Sequence, residues 1–234
     1  MSVVVFPAVN LAVRDSSARS ATTRRIIHAT FRFFVGFLVC MRVIELEVRG
    51  ANLLRDRRGV MIIANHPSLL DVVILMSLMS EAQCVVKSKL WRSPFLGGVV
   101  RAAGYIRNDG EPEKLLSDCV SALRAGQNLV IFPEGSRTVP GNRPEFSRGY
   151  AHVALRAEAD IVPIAIYCKP TTLTKGEPWY AIPERRASFQ FIVHRQLNAM
   201  DYAGLDAPSI AARRLSRNVD QIYANELGYE RSGV

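Results

Sequence analysis

Apolar positions recur along the chain in two periods. "VIELEVRG" (43–50) alternates apolar and charged residues and predicts a half-exposed strand, placed at a sheet edge. "GVMIIA" (59–64), "QCVVK" (83–87), "NLVIF" (128–132) and "DIVPIAIY" (160–167) are short apolar runs with the mark of buried strands, the last with Pro163 near its entry. "YI" at 105–106 resumes a strand after an interruption at Pro94 and Gly97-Gly98, and "SFQFIVHRQL" (188–197) returns to the sheet. Helical periods fill the intervals. "HPSLLDVVILMSLM" (66–79) opens a helix with Pro67 at or near its first turn, residues 108–126 give a cap, an amphipathic helix and a stop at Gly126, and 145–159 and 206–227 are helical. Strands alternating with helices imply an α/β fold, a mostly parallel or mixed central sheet flanked by helices, with active groups on loops beyond the carboxyl ends of strands.

The start of the chain follows a different pattern. Residues 22–45 begin with helical periodicity, Arg25, His28 and Arg32 falling near one face, and then "FFVGFLVCM" (33–41) is continuously apolar until Arg42. Nine residues fall well short of the ~20 that cross a bilayer. Two readings stay open, an interfacial helix on an anionic membrane and a buried core helix. A cleaved signal peptide does not fit, because a polar-to-mixed stretch precedes the apolar run and no small-residue cleavage site follows it. The expected organisation is a flexible lead over 1–21, an interfacial helical segment over 22–44 and one α/β domain over 45–234.

Composition changes the picture in three ways. A chain of 234 residues that is 49% hydrophobic has material for one sizeable core and too little for two. Its net charge of +9 favours an anionic partner, and ten of its arginines lie in the first 58 residues against four acids. Cys40, Cys84, Cys119 and Cys168 have neither metal-ligand nor disulfide spacing and read as buried thiols of a reducing compartment.

Three stretches at strand ends carry candidate chemistry. In "NHPSLLD" (65–71), His66 has the side chain suited to taking a proton near neutral pH, and Asp71 reaches back to it if the chain turns at Pro67-Ser68. A carboxylate at a helix start accounts for Asp71 equally well on spacing alone. In "FPEGSR" (132–137), Gly135 permits a tight turn, Arg137 offers a phosphate-matching fork, and Glu134 serves either a substrate hydroxyl or another residue. Lys87, Lys89, Arg92, Arg101 and Arg107 form a basic run beside Trp91 and Phe95, with Arg107 best placed to reach a shared cleft. No helix-turn-helix or paired aromatic RNA-binding signature accompanies them, so nucleic acid is not an expected partner.

Together these blocks resemble the 1-acyl-glycerol-3-phosphate acyltransferase family of glycerolipid acyltransferases. "NHPSLLD" at 65–71, "GYIRN" at 104–108, "FPEGSR" at 132–137 and "VPIAIY" at 162–167 stand in that family's order, and the resemblance spans roughly 45–195. It implies transfer of an acyl group from a thioester, acyl-coenzyme A or acyl carrier protein, to the free hydroxyl of a lysophospholipid-like acceptor, with no acyl-enzyme, cofactor or metal. It makes His66 the general base, Asp71 its charge partner, Arg107 and Arg137 the acceptor-phosphate ligands, and Glu134 and Gly135 shapers of that site. Ser68 and Lys87 are accessory candidates. The implied location is peripheral or monotopic, on the cytoplasmic face of the inner or plasma membrane. Lys89 replaces a usual acidic residue, and the 168–187 loop is unusual, which keeps a specialised lipid or carrier-bound acceptor as the alternative. A nonenzymatic binder of anionic membranes or nucleic acid is a further alternative, and its affinity would be indifferent to His66.

Overall fold

The computed structural model describes residues 16–93, 97–178, 180–181, 183–204 and 207–229. In chain order these form α1 (Ser16–Cys40), β1 (Ile44–Arg49), β2 (Met61–Ala64), α2 (Leu70–Leu78), β3 (Gln83–Lys87), α3 (Ser88–Trp91), α4 (Gly97–Ala102), β4 (Ile106–Asn108), α5 (Pro112–Arg124), β5 (Leu129–Ile131), α6 (Gly149–Ala157), β6 (Ile161–Lys169), β7 (Ala187–Val193) and α7 (Pro208–Leu227). The sheet has seven strands in the order β1-β7-β6-β2-β5-β3-β4. Strands β6, β2, β5, β3 and β4 run parallel, and β7 turns antiparallel on β6 with β1 parallel to it.

Burial follows position in the sheet. All four residues of central β2 are buried, as a strand covered on both faces requires. Edge strand β1 alternates from a buried Ile44 to exposed charges, as its sequence predicts. One apolar cluster joins Ile62, Val130 and Val162 to α1, α2 and α4. The other joins Met61, Leu129 and Ile161 to α5, α6 and α7. The connection after β2 therefore leaves to one face and that after its neighbour β5 to the other. The carboxyl ends of these two strands are where open α/β sheets place their sites.

Several expectations are corrected. Ser16 to Ala21 are helical, within α1, although expected in a flexible lead; residues 1–15 of that lead lie outside the described ones. Tertiary contacts sustain this early start, with Thr23 buried and the buried Arg24 guanidinium donating to the Ala103 carbonyl at 2.9 Å. Pro67 stands three residues ahead of α2, in the turn that carries His66. Gly97 and Gly98, expected to interrupt the segment, are helical within α4, and a Cβ at Gly97 would meet the Trp91 carbonyl oxygen at 2.4 Å. Cys40 is exposed, while the other three cysteines are buried.

Helix α1 packs on the core along one side and exposes apolar side chains on another. Ile27 and Val35 join the core, and His28 Nδ1 lies 3.1 Å from the Met76 carbonyl. Arg25 pairs with Glu81. On the opposite side Phe33, Phe34 and Phe37 stand exposed, continued by Met41 and Val43. Among the described residues no helix is long and apolar enough to cross a membrane.

Candidate active site

The β2 strand ends by handing its ladder to a side chain. Beyond the Ala64↔Ile164 pair the main chain departs, and the buried Asn65 amide takes over. Its nitrogen donates to the Ile166 carbonyl at 2.8 Å, and its oxygen accepts from the Ile166 N–H at 2.7 Å. Tyr223 of α7 closes the same seam from the other face. Its hydroxyl donates toward the Ile63 carbonyl at 2.7 Å, with the Ile164 carbonyl at 3.0 Å, and accepts from the Ile164 N–H at 3.2 Å. Neither role was legible in sequence, because the partners lie 101 and 160 residues away. Asn65→Leu strands two buried backbone groups and is expected to cost about 1–3 kcal/mol for each, read as a lowered urea midpoint.

His66 follows directly, and the backbone on both its sides is fixed by the loop after β5. Its N–H donates to Glu134 Oε1 at 2.8 Å, and its carbonyl accepts from the Thr138 N–H at 2.7 Å. Thr138 also donates through its hydroxyl to the Glu134 carboxylate, at 2.8 and 2.9 Å from its two oxygens. Glu134 therefore positions the histidine, and burial pushes its carboxyl above the usual glutamate range. Gly135 closes the turn, its N–H donating to the Phe132 carbonyl at 3.0 Å while its φ is +65°, a conformation that favours glycine. Phe132 stacks on the His66 ring with centroids 4.2 Å apart. Thr138 lies one residue past the motif and was not among the sequence candidates.

The turn 67–69 brings Asp71, in the first turn of α2, back under the imidazole. Asp71 Oδ2 accepts from His66 Nδ1 at 3.0 Å and from the Ser68 N–H at 2.7 Å. Asp71 is fully buried and His66 partly so, with side-chain exposures of 0% and 13%. Burial raises the Asp71 carboxyl to about 6, against the opposing pull of His66, Ser68 and Arg137. With Nδ1 held as the donor, Nε2 is the ring nitrogen left to receive a proton. Ser68 Oγ accepts from the Leu70 N–H at 3.3 Å, a helix-start bond.

The basic candidates are spread more widely. Arg137 Nη1 donates to the carbonyls of Leu173 and Thr174 at 2.6 and 2.8 Å, which ties the loop after β6 to the site. Arg107 lies on β4, three strands from β2, a lateral separation of about 14 Å at ordinary strand spacing. Its Nε donates to Ser88 Oγ at 3.2 Å and pairs with Asp109. With Trp91, Tyr105 and Lys114 it lines a cleft of about 440 Å³ along that edge. Lys87 ends β3, exposed, on the same carboxyl rim. The structure thus joins His66, Asp71, Ser68, Glu134, Gly135 and Arg137 in one bonded unit, with Arg107 and Lys87 outside it. Burial raises the Cys84 thiol to about 12 and that of Cys168 to about 11, which makes both poor nucleophiles.

Residues 45–167 match the family model described as Acyltransferase. The 1-acyl-sn-glycerol-3-phosphate acyltransferase alpha of Homo sapiens is 27% identical over 213 residues, which cover 86% of this chain and 70% of that protein. The 1-acyl-sn-glycerol-3-phosphate acyltransferase of Limnanthes alba is 29% identical over 138 residues, 56% of this chain and 48% of its own. Among solved structures, the 1-acyl-sn-glycerophosphate (LPA) acyltransferase PlsC of Thermotoga maritima matches with a TM-score of 0.65 at 17% identity, covering 94% of this chain and 86% of that one. At that identity the likeness concerns the fold.

Proposed function

The chain belongs to the acyltransferase family, and we propose that it transfers a fatty acyl group from an acyl thioester to the free hydroxyl of 1-acyl-glycerol-3-phosphate, forming phosphatidic acid. The observation that carries this reading is the His66–Asp71 pair, 3.0 Å apart at the carboxyl end of β2. The names of the curated relatives support the acceptor.

In this mechanism His66 Nε2 takes the proton of the acceptor hydroxyl, and buried Asp71 holds the imidazole and stabilises the imidazolium. The acceptor oxygen bonds to the thioester carbonyl carbon. Collapse of the tetrahedral intermediate breaks the carbon–sulfur bond, and the proton passes to the departing thiolate. Arg107 and Arg137 serve the acceptor phosphate, with Lys87 accessory on the same rim. The donor is acyl-coenzyme A or acyl carrier protein. Product detection by mass spectrometry, offering 1-acyl-glycerol-3-phosphate with each donor in liposomes, tests the reading and identifies the donor. A folded protein that makes no phosphatidic acid from either donor would move the acceptor to a specialised lipid.

The protein acts at an anionic membrane surface, as a peripheral or monotopic protein on the cytoplasmic face. The support is the exposed row Phe33, Phe34 and Phe37 on a helix whose other side is fastened to the core. Aromatic side chains at an interface are placed to enter the headgroup boundary. Phe33→Ser with Phe37→Ser is expected to lower partitioning onto anionic vesicles at least about tenfold, since each residue loses about 1.5–3 kcal/mol of apolar burial. The fold is retained in that variant, because neither ring is in the core. Unchanged co-sedimentation with vesicles would remove this surface from membrane binding.

A further inference from the structure

We propose that Arg137 is a positioning residue for the catalytic pair, latching the strap at 172–174 over the turn that carries His66 and Asp71. The inference rests on the reading of His66 as the base. One nitrogen of Arg137 is committed to two backbone oxygens, those of Leu173 and Thr174. The Leu173 carbonyl also accepts from the Leu69 N–H at 3.2 Å. A single oxygen thus joins three segments: the strap, the start of α2 and the loop after β5. Leu173 presents it at φ +54°, a left-handed conformation that leucine seldom adopts and that the surrounding bonds must hold. The strap is otherwise built in. Thr172 and Thr174 are buried, and the Thr174 N–H donates to Glu177 Oε2 at 2.7 Å.

What the strap protects is the unusual state of Asp71. Oδ2 of that carboxylate is occupied by His66 and Ser68, while buried Oδ1 has no hydrogen-bond partner among the described residues. A carboxylate in this state keeps one orientation only while water is excluded, because water at Oδ1 would solvate it and compete with its single aim at Nδ1. The charged and titratable groups facing Asp71 are His66 on its own turn, Arg137 and Glu134 from the loop after β5, and Cys168 at the end of β6. Arg137 is the cation of that set, and it also closes the strap. A group present only to hold an acceptor phosphate would have no reason to bridge two main-chain carbonyls.

The test is Arg137→Met in the full chain, followed by amide hydrogen exchange and by kinetics on acylglycerol acceptors with and without phosphate. The Leu69 amide is expected to exchange at least about tenfold faster while strand amides of β2 and β6 keep their protection. At saturating acceptor, kcat is expected to fall about 10- to 100-fold on both acceptors, with a further rise in KM for the phosphorylated one alone. Arg137→Lys keeps the charge without the rigid fork, and is expected to show the same faster Leu69 exchange and a reduced kcat. Wild-type Leu69 protection in a folded variant, with a loss confined to KM for the phosphorylated acceptor, would overturn the proposal and leave a phosphate contact. If the wild-type protein acylates neither acceptor, the functional reading fails on its own, and the Leu69 exchange rate still decides the latch.

Discussion

Replacing His66 with alanine is expected to lower acyl transfer by about 10²–10⁴, the contribution of a positioned general base. The reason lies in the division of labour around the residue. Its backbone is held by Glu134 and by the Thr138 N–H, bonds an alanine makes equally well. The side chain contributes the stack on Phe132 and the bond to Asp71. Removing it therefore deletes the proton acceptor with the loop geometry preserved. The comparison is of initial rates of phosphatidic acid formation, with circular dichroism confirming the fold and vesicle partitioning confirming that α1 still presents its phenylalanines. Near wild-type turnover by the folded variant would take the base assignment away.

The second large effect belongs to Asp71 and shows in the pH dependence. Burial lifts its carboxyl to about 6, above the usual aspartate range. In the proposed mechanism the ionised form holds Nδ1–H and stabilises the imidazolium, so kcat/KM is expected to fall as pH drops through about 6. Stability runs the opposite way. Because the folded-state value is raised above the unfolded one, the folded state binds the proton more tightly. The stability this group contributes is fully present at low pH and is lost as pH rises from the usual aspartate range through about 6. Between pH 7 and 5 the wild-type protein should thus lose activity while gaining thermal stability relative to Asp71→Asn. That variant should itself be about 10²–10⁴ slower at neutral pH, since an amide cannot stabilise the imidazolium. Parallel pH profiles of rate and melting temperature check both signs, and a wild-type acid limb retained unchanged in Asp71→Asn would assign it to another group.

Buried strands were legible because β2, β3 and β5 sit in the sheet with helices on both faces, and such strands must be apolar throughout. Edge strand β1 was legible for the complementary reason, its outer positions meeting water. The start of α2 was misplaced by three residues, since Pro67 suits either a helix start or a turn and the local pattern does not separate the two. Helix α1 could not be assigned to core or surface from its composition. Its two sides differ in what the rest of the fold brings to them, with α2 against Ile27 and Val35 while, among the described residues, Phe33 and Phe37 stay exposed.

The site divides along the same line. Residue types and their order, with histidine and aspartate five apart after an apolar run and a second block after another, marked the candidates for proton-transfer chemistry at strand ends. Only the tertiary structure decided that the two blocks meet, because strand order sets β5 directly beside β2 although Glu134 lies 68 residues from His66. It also decided the parts played by Asn65, Thr138, Tyr223 and Arg137. Each bonds to main chain on a distant or neighbouring segment, and the hydrogen bonds of a backbone oxygen depend on where the chain passes, which local periodicity does not encode.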